Sequence, residues 1–422
     1  MSQIKYAQLK YICVHIVSFV IIVCLLPRRS QQVSSSRRPP PAANRAAPEI
    51  EENPVQQQPL TSEALADFEQ LTQIPGLAGH EQRVAAFMTK RMQPLAHHTH
   101  TDTLGNVIAT IEGTDPNAPT IMLFAHMDSL GFIVRKIDDN GYIKVHRLGG
   151  IPEKVLPATP VTITTSTGQD IQGIIGIKAH HVTPPEEKYT VTPLQELFID
   201  IGSQNKQQTQ NTGIQTGDPI TYTGQFKQLT NNKITATFID NRSGCLTLLE
   251  TLKNLHKNPP KATTHIVATV QEEFNLRGAA PAAHNLKPNI AICLDGSAGA
   301  DTPDLQEMSD VALGLGPMMN LYSFHGRGTL NGLMPHPALV RAFTRVAREN
   351  DLPLQRNVSF GGLTDASYVQ LENGGTPAID LGIPRRYLHS PTEVCDLRDI
   401  AGLVALVTTF IQEVGADFDF SR

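Results

Sequence analysis

The chain has 422 residues, of which 40% are hydrophobic and 18% charged, a composition typical of a globular protein with room for two folded domains. A formal net charge of -5 and the absence of tryptophan give no reason to expect nucleic acid as a partner. Its five cysteines lack the paired spacing of a disulfide framework or a zinc knuckle. We therefore expect Cys245, Cys293 and Cys395 to be buried, reduced thiols.

The N-terminal sixty residues differ in composition from the rest. A nearly uninterrupted apolar run extends from Tyr11 to Leu26, slightly short for a bilayer span. No small residues suited to cleavage follow it, which favours an uncleaved membrane anchor in residues 1–27 over a cleaved signal. A misassigned start on a cytoplasmic enzyme is the alternative. Residues 28–60 are rich in Pro, Gln, Ser and Arg and are predicted to form a disordered tether.

From residue 61 the patterns predict an α/β fold. Two amphipathic helices come first, and apparent strands follow at 106–111 and 120–124. Short alternating segments separated by glycine-rich turns then predict an all-β module at 131–232. Helices and strands alternate again to the C-terminus. We expect a three-layer αβα catalytic domain (61–130 and 233–422) with an inserted small, barrel-like all-β domain.

The segment T-V-Q-E-E-F-N-L-R-G-A, Thr269 to Ala279, places two carboxylates at the predicted end of a buried strand. On an extended backbone, the side chains of Glu272 and Glu273 would point in opposite directions. One could bind a metal ion while the other acts as general base on a water molecule, as a metal-assisted hydrolase requires. A pair of glutamates alone is more often a solvated turn.

Five short motifs follow predicted strands in the α/β part, where sites of open α/β sheets form. They contain His126 and Asp128, Asp240, Glu272 and Glu273, Asp295, and His389. Each alone has an ordinary interpretation as a turn, a cap or a core histidine. Together, two imidazoles and three carboxylates suffice for two divalent metal ions with one carboxylate shared between them. Such ligands suit zinc, cobalt or manganese better than calcium.

Longer motifs carry a family resemblance. They read L-F-A-H-M-D-S-L-G-F, F-I-D-N-R-S-G-C, T-V-Q-E-E-F-N-L-R-G-A-A, A-G-A-D-T-P-D, G-G-L-T-D-A and G-I-P-R-R-Y-L-H-S-P-T-E-V. In this order they resemble the M42 family of metallo-aminopeptidases, and the resemblance extends from about Thr61 to Phe418. The N-terminal anchor and tether lie outside it, and they put the family's usual cytosolic location in question.

The resemblance implies a ligand set. His126 and Asp295 would bind one ion, Glu273 and His389 would complete the second, and Asp240 would bridge the two.

The resemblance also implies catalytic roles. Glu272 would be the general base and acid, and Asp128 would orient the His126 imidazole. Asp365 is a candidate wall residue for docking the substrate's free α-amine. Gly296 departs from the family pattern, which usually has a β-branched or small residue after the metal-binding aspartate.

The implied activity is removal of N-terminal residues from short peptides by a homo-oligomer. In the family the β module dimerises, and dimers form twelve-subunit shells, so we expect at least a dimer. An amidohydrolase or deacylase acting on N-acyl amino acids is the alternative enzyme. A metal-free scaffold is a third hypothesis, which the complete ligand set argues against.

Overall fold

The computed structural model describes residues 59–326 and 331–422. The predicted anchor, and the predicted tether up to residue 58, lie outside the described residues. Within those two ranges, no helix has both the length and the apolar character needed to cross a bilayer.

Two helices begin the described chain, a run of strands follows, and helices and strands alternate from α4 to the C-terminus. Helices α1 to α8 span Ser62–Leu71, Gln82–Met92, Lys206–Asn211, Ile239–Lys257, Ala279–Leu286, Pro337–Glu349, Ala366–Val369 and Leu397–Glu413. Strands β1 to β9 span His98–Thr101, Val107–Ile111, Ile121–His126, Gly131–Ile137, Ile143–Leu148, Pro160–Thr164, Asp170–Ile175, Ile199–Asp200 and Pro219–Tyr222. Strands β10 to β18 span Phe226–Gln228, Lys233–Ala236, Thr264–Thr269, Ile290–Ala298, Met318–Phe324, Gly332–Leu333, Gln355–Phe360, Ala378–Arg385 and Glu393–Asp396.

Across the described ranges, nine strands form one mixed sheet in the order β1-β2-β12-β3-β13-β17-β14-β15, with β16 beside β14. The four central strands β12, β3, β13 and β17 run parallel to one another. Their carboxyl ends therefore lie along one edge of the sheet, where sites of α/β proteins form.

The central strands contribute alternate residues to two separate apolar clusters, because successive side chains of a strand point to opposite faces. Ile121, Leu123 and Ala125 of β3 pack in the cluster that contains α1, α2, α4, α6 and α8. Met122 and Phe124 pack with α5 and α7. Helices thus cover both faces of the sheet, and the predicted three-layer α/β class is confirmed.

Strands β4, β5, β8, β7, β6 and β9 close into a barrel. It has its own apolar cluster, built around residues such as Phe132, Ile163 and Tyr222. The barrel strands fall within the range 131–232 predicted for the inserted β domain, although the domain boundaries themselves remain a prediction. Strands β10 and β11 follow the barrel in sequence and lead into α4, and they form a small sheet with β18 from near the C-terminus.

An aromatic stack joins the C-terminal helix to α6. The Phe410 ring on α8 stacks on that of Phe343 on α6, with centroids 4.1 Å apart and an interplanar angle of 19°. Both side chains are fully buried. Phe410→Ala should lower the free energy of unfolding by about 3–5 kcal/mol, because it removes buried apolar area and leaves a cavity. Denaturant unfolding followed by circular dichroism measures the loss.

Phe420→Ala is the matched control, since the Phe420 ring is partly exposed near the C-terminus. It should change the free energy of unfolding by no more than about 0.5 kcal/mol. Equal losses in the two variants would contradict the assignment of this core.

Candidate metal centre and active site

The predicted site residues converge from neighbouring strands. His126 is the last residue of β3, and the parallel register pairs it with Thr269 at the end of β12. Two residues separate the end of β12 from Glu272 and Glu273, and Oε2 of Glu272 lies 4.0 Å from Nε2 of His126. This placement agrees with the expectation that the motifs occupy carboxyl ends of strands.

Two ligand candidates occupy positions that the sequence did not predict. Asp295 lies inside β13 rather than at its end. Asp240 lies in the first turn of α4, where its backbone is not helical (φ -79°, ψ 106°). Both depart from the predicted strand-end positions because the length of β13 and the irregular start of α4 depend on tertiary packing.

The backbone at the two glutamates also differs from expectation. Strand β12 ends at Thr269, and Gln271 is in the left-handed region with φ 57°. The glutamates therefore occupy a turn, and their directions are not set by strand alternation. The side chain of Glu81 accepts a hydrogen bond from the Gln271 N–H at 3.0 Å and helps to fix the turn.

The side-chain atoms meet around Asp240. Its Oδ1 lies 3.2 Å from Nε2 of His126, and its Oδ2 lies 3.4 Å from Nε2 of His389. Oδ2 of Asp295 lies 3.9 Å from Nε2 of His126, and Oε1 of Glu273 lies 3.8 Å from Nε2 of His389. The two oxygens of one carboxylate thus face two imidazoles, each accompanied by a second carboxylate.

These residues fit divalent metal ions. Within the described ranges, donor atoms of His126, Glu272 and Asp295 lie within 4.8 Å of one another, as do those of Asp240, Glu273 and His389. Nε2 of His126 and Oδ1 of Asp240 are buried without a hydrogen-bond partner. Buried polar atoms without partners are costly, and a cation between them would satisfy both.

The electrostatics of the cluster favour a cation. Burial raises the pKa of Glu272 well above its ordinary value and that of Glu273 to about 7, with the imidazoles opposing both shifts. Burial also acts to raise the pKa of Asp240, but Arg385 and the imidazoles outweigh it and hold that pKa well below its usual range. A divalent cation would relieve the crowding of carboxylates and release protons, so metal affinity should fall as the pH falls.

Asp128 holds the two glutamates in place. Its Oδ1 and Oδ2 accept hydrogen bonds from the backbone N–H groups of Glu272 and Glu273 at 3.0 and 2.9 Å. Nδ1 of His126 lies 3.1 Å from the backbone oxygen of Asp128 and 3.6 Å from its Oδ1. The imidazole is therefore oriented mainly by the peptide carbonyl, while the carboxylate positions the glutamate turn.

Sequence reasoning missed Glu393, although it quoted the motif that contains it. Oε2 of Glu393 accepts a hydrogen bond from the Asp240 N–H, and Oε1 accepts one from the His389 N–H, both at 2.8 Å. The side chain is buried. One carboxylate thus fixes the backbone of two ligand candidates that are far apart in the chain, and no local pattern signals this role.

Sequence reasoning also missed Arg385, the last residue of β17 and fully buried. Its Nη2 donates a hydrogen bond to Oδ1 of Asp295 at 2.9 Å. Its Nη1 lies 3.1 Å from Oδ1 of Asp240, an ion pair without hydrogen-bond geometry. In the sequence, the only feature that could have drawn attention to Arg385 is the pair of adjacent arginines in I-P-R-R-Y.

An open cleft of about 850 Å³ leads to the cluster. Its polar wall residues beyond the ligand candidates are Arg147, Asn275, Ser297, Asn320, Ser323, His325, Ser359, Thr364 and Asp380. Asp365, expected as a wall residue, is instead buried, accepts a hydrogen bond from the Thr269 hydroxyl at 3.0 Å, and does not line the cleft. The cleft is large enough for a short peptide end.

None of the three described cysteines is a candidate metal ligand, although the Cys245 thiol donates a hydrogen bond to the backbone oxygen of His126 at 3.3 Å. Cys245, Cys293 and Cys395 are buried thiols outside any disulfide, as predicted. Burial is the largest cause that raises the pKa of each thiol. They are packing residues.

Comparisons with known proteins agree with the resemblance in sequence. The family model for M42 glutamyl aminopeptidase matches residues 105–406. The SgcX protein of Escherichia coli strain K12 is 37% identical over 348 residues, which cover 82% of this chain and 93% of SgcX. Both matches extend over most of the described chain.

Two solved structures share the fold. The aminopeptidase APDkam598 of the archaeon Desulfurococcus kamchatkensis has a TM-score of 0.80 at 31% identity, covering 84% of this chain and 96% of its own. The TET1 peptidase of Pyrococcus horikoshii, which can assemble into a tetrahedron or a large octahedral shell, has a TM-score of 0.73 at 27% identity, covering 83% and 100%. The chain therefore belongs to the M42 glutamyl aminopeptidase family and is an aminopeptidase, a metal-dependent hydrolase of peptides.

Proposed function

We propose that this enzyme removes N-terminal residues from short peptides with two divalent metal ions per subunit. One ion would be held by His126, Asp240 and Asp295, and the other by Asp240, Glu273 and His389. The observation that carries the proposal is the division of the Asp240 carboxylate, whose oxygens lie 3.2 and 3.4 Å from two different imidazoles. Zinc, cobalt and manganese all suit imidazole and carboxylate ligands.

When bound, the ions would polarise the scissile carbonyl and lower the pKa of water. The protein must then move protons, and two observations support Glu272 for this role. It lines the cleft, and its backbone N–H is held by Asp128. We assign it to take the proton from the attacking water at a carboxylate oxygen and to donate it to the nitrogen of the leaving amine.

Asp128 serves this chemistry as a positioning residue. It holds the consecutive N–H groups of Glu272 and Glu273, so the proton carrier and a metal ligand are fixed by one carboxylate. Its peptide carbonyl fixes the tautomer of His126 by accepting from Nδ1, which leaves Nε2 as the donor atom toward a metal ion.

The proposal includes a homo-oligomer, at least a dimer through the β barrel and in its larger form a dodecamer. The TET1 relative assembles into closed shells. Between barrel strands β7 and β8, the large apolar side chains of Ile177, Val182 and Tyr189 are exposed, which is the character of a surface covered in an assembly.

Glu272→Gln should keep metal content and fold but lower kcat on amino-acid nitroanilides by about 10²–10⁴-fold, the usual contribution of a general base. Nε2 of His126 lies 4.0 Å from Oε2 of Glu272, a distance that a metal ligand would also show. Elemental analysis separates the roles, because loss of metal in Glu272→Gln would contradict the base assignment. Asp240→Ala is the comparison variant, and its metal content should fall.

The parent enzyme should not hydrolyse N-acetylated substrates, which distinguishes an aminopeptidase from a deacylase.

Asp128→Asn should lower kcat/KM by about 10- to 100-fold, because the amide can accept at only one of the two N–H groups of the glutamate turn. Steady-state kinetics on the same nitroanilides measures it. Asp138→Asn is a matched control, since Asp138 also accepts two backbone N–H groups, from Asn140 and Tyr142, but lies in an exposed barrel turn. Equal activity in the two variants would rule out the positioning role.

Light scattering after gel filtration should give a native mass at least twice the 46.0 kDa of one chain. Tyr189→Asp should shift the population toward smaller species, because a charge cannot be buried in an apolar interface without a partner. Met308→Asp, at an exposed apolar residue outside the barrel, is the control and should not change the mass. A monomeric parent would refute the assembly.

A further inference from the structure

The two halves of the proposed centre have the same kinds of donor but different surroundings. Apart from Glu272, which lies 4.0 Å from Nε2 of His126 and is assigned above to proton transfer, each half has one imidazole, one carboxylate of its own and one oxygen of Asp240. Arg385 contacts only one of them. It reaches Asp295 and the Asp240 oxygen that faces His126. On the other side, the described ion pairs of Glu273 are with His389 alone.

The Arg385 guanidinium occupies the space that a side chain at position 296 would fill. A Cβ at Gly296 would come within 2.4 Å of Nη2, 2.5 Å of Nε and 2.7 Å of Cζ of Arg385. Any larger residue at 296 would displace the arginine from the carboxylates. The departure from the family pattern at Gly296 therefore has a structural reason, which is room for Arg385.

The contacts of Arg385 are not those of an ion pair optimised for stability. Its Nε and Nη1 are buried without hydrogen-bond partners, and leaving such donors unsatisfied is unfavourable. A buried ion pair is often no more stable than apolar residues of similar volume. Its distinctive effect is a permanent positive charge about 3 Å from two carboxylates that are also proposed metal ligands, since arginine does not lose its proton.

We propose that Arg385 makes the two metal positions unequal, so that the His126–Asp295 half binds a divalent cation more weakly than the Glu273–His389 half. The guanidinium offsets the negative charge of Asp295 and of one Asp240 oxygen. It therefore reduces the attraction of these oxygens for the metal ion of the His126–Asp295 half. It does not occupy the ligand atoms. Oδ2 of Asp295 faces His126, and Oδ1 of Asp240 receives no hydrogen bond.

This inference rests on the proposed two-ion centre, and a metal titration tests the two separately. Apoenzyme prepared with a chelator is titrated with Co²⁺, followed by calorimetry and visible absorption. The number of ions bound tests the centre. The parent should show two events whose Kd values differ by about tenfold or more, the range typical of groups that contact metal ligands.

Arg385→Gln should tighten the weaker event by about tenfold and leave the tighter event within about threefold. Arg385→Lys keeps the charge and should keep the inequality. In a Glu273→Gln background, which impairs the other half, Arg385→Gln should still tighten metal binding at the His126–Asp295 half. In an Asp295→Asn background, Arg385→Gln should have much less effect on either Kd. These backgrounds identify which half the arginine weakens.

Gly296→Ala is a second route, in case removal of the buried arginine prevents folding. It retains the arginine but forces the guanidinium away from Asp295, and it should also tighten the weaker event. In an Arg385→Gln background the same alanine should change nothing. Arg386→Gln is the matched control, because the neighbouring Arg386 pairs with Asp301 outside the centre and its loss should leave both Kd values unchanged.

Two results would overturn the inference. One is a parent with two events of equal affinity that no Arg385 variant changes. The other is loss of the weaker event in Arg385→Gln while the circular dichroism spectrum stays that of the parent, which would make Arg385 a requirement for binding. Failure to bind two ions in any variant would instead count against the proposed centre.

Discussion

The Asp240 carboxylate faces two imidazoles and a guanidinium at once, and the other groups of the site keep it in that orientation. A carboxylate has two oxygens, and each is directed to a different histidine. The side chain can do this only if its own backbone is fixed. Glu393 fixes it by accepting the Asp240 N–H, and the same glutamate secures the backbone of His389.

The fold supplies these contacts by two different means. Parallel strands bring His126 and the glutamate turn side by side at one edge of the sheet, and the strand register sets that alignment. Asp240 comes instead from an irregular helix start that follows the small sheet. Regular structure thus positions His126 and the glutamate turn, while the position of Asp240 depends on a local departure from helical geometry supported by buried polar groups.

The sequence was informative where a local pattern coincides with the final geometry. The buried run before His126 predicts a strand and its end, and the long motifs predict the family and the three-layer class. The positions of Asp295 within a strand and of Asp240 in a helix turn could not be read locally. Arg385 and Glu393 were missed because their contacts depend on how strands distant in the chain come together. The N-terminal anchor lies outside the described residues and stays a prediction, as do the roles assigned to the ligand residues.

The contact between Gly296 and Arg385 restricts the order in which this pair could have arisen. In a chain with a bulky residue at 296, an arginine at 385 would find its place beside Asp295 already filled. In a chain with glycine at 296, a smaller residue at 385 would meet no steric conflict. A substitution to glycine at 296 followed by one to arginine at 385 therefore meets no steric conflict, whereas the opposite order places the guanidinium against the side chain at 296. Relatives with arginine at the position of Arg385 should accordingly have glycine at the position of Gly296.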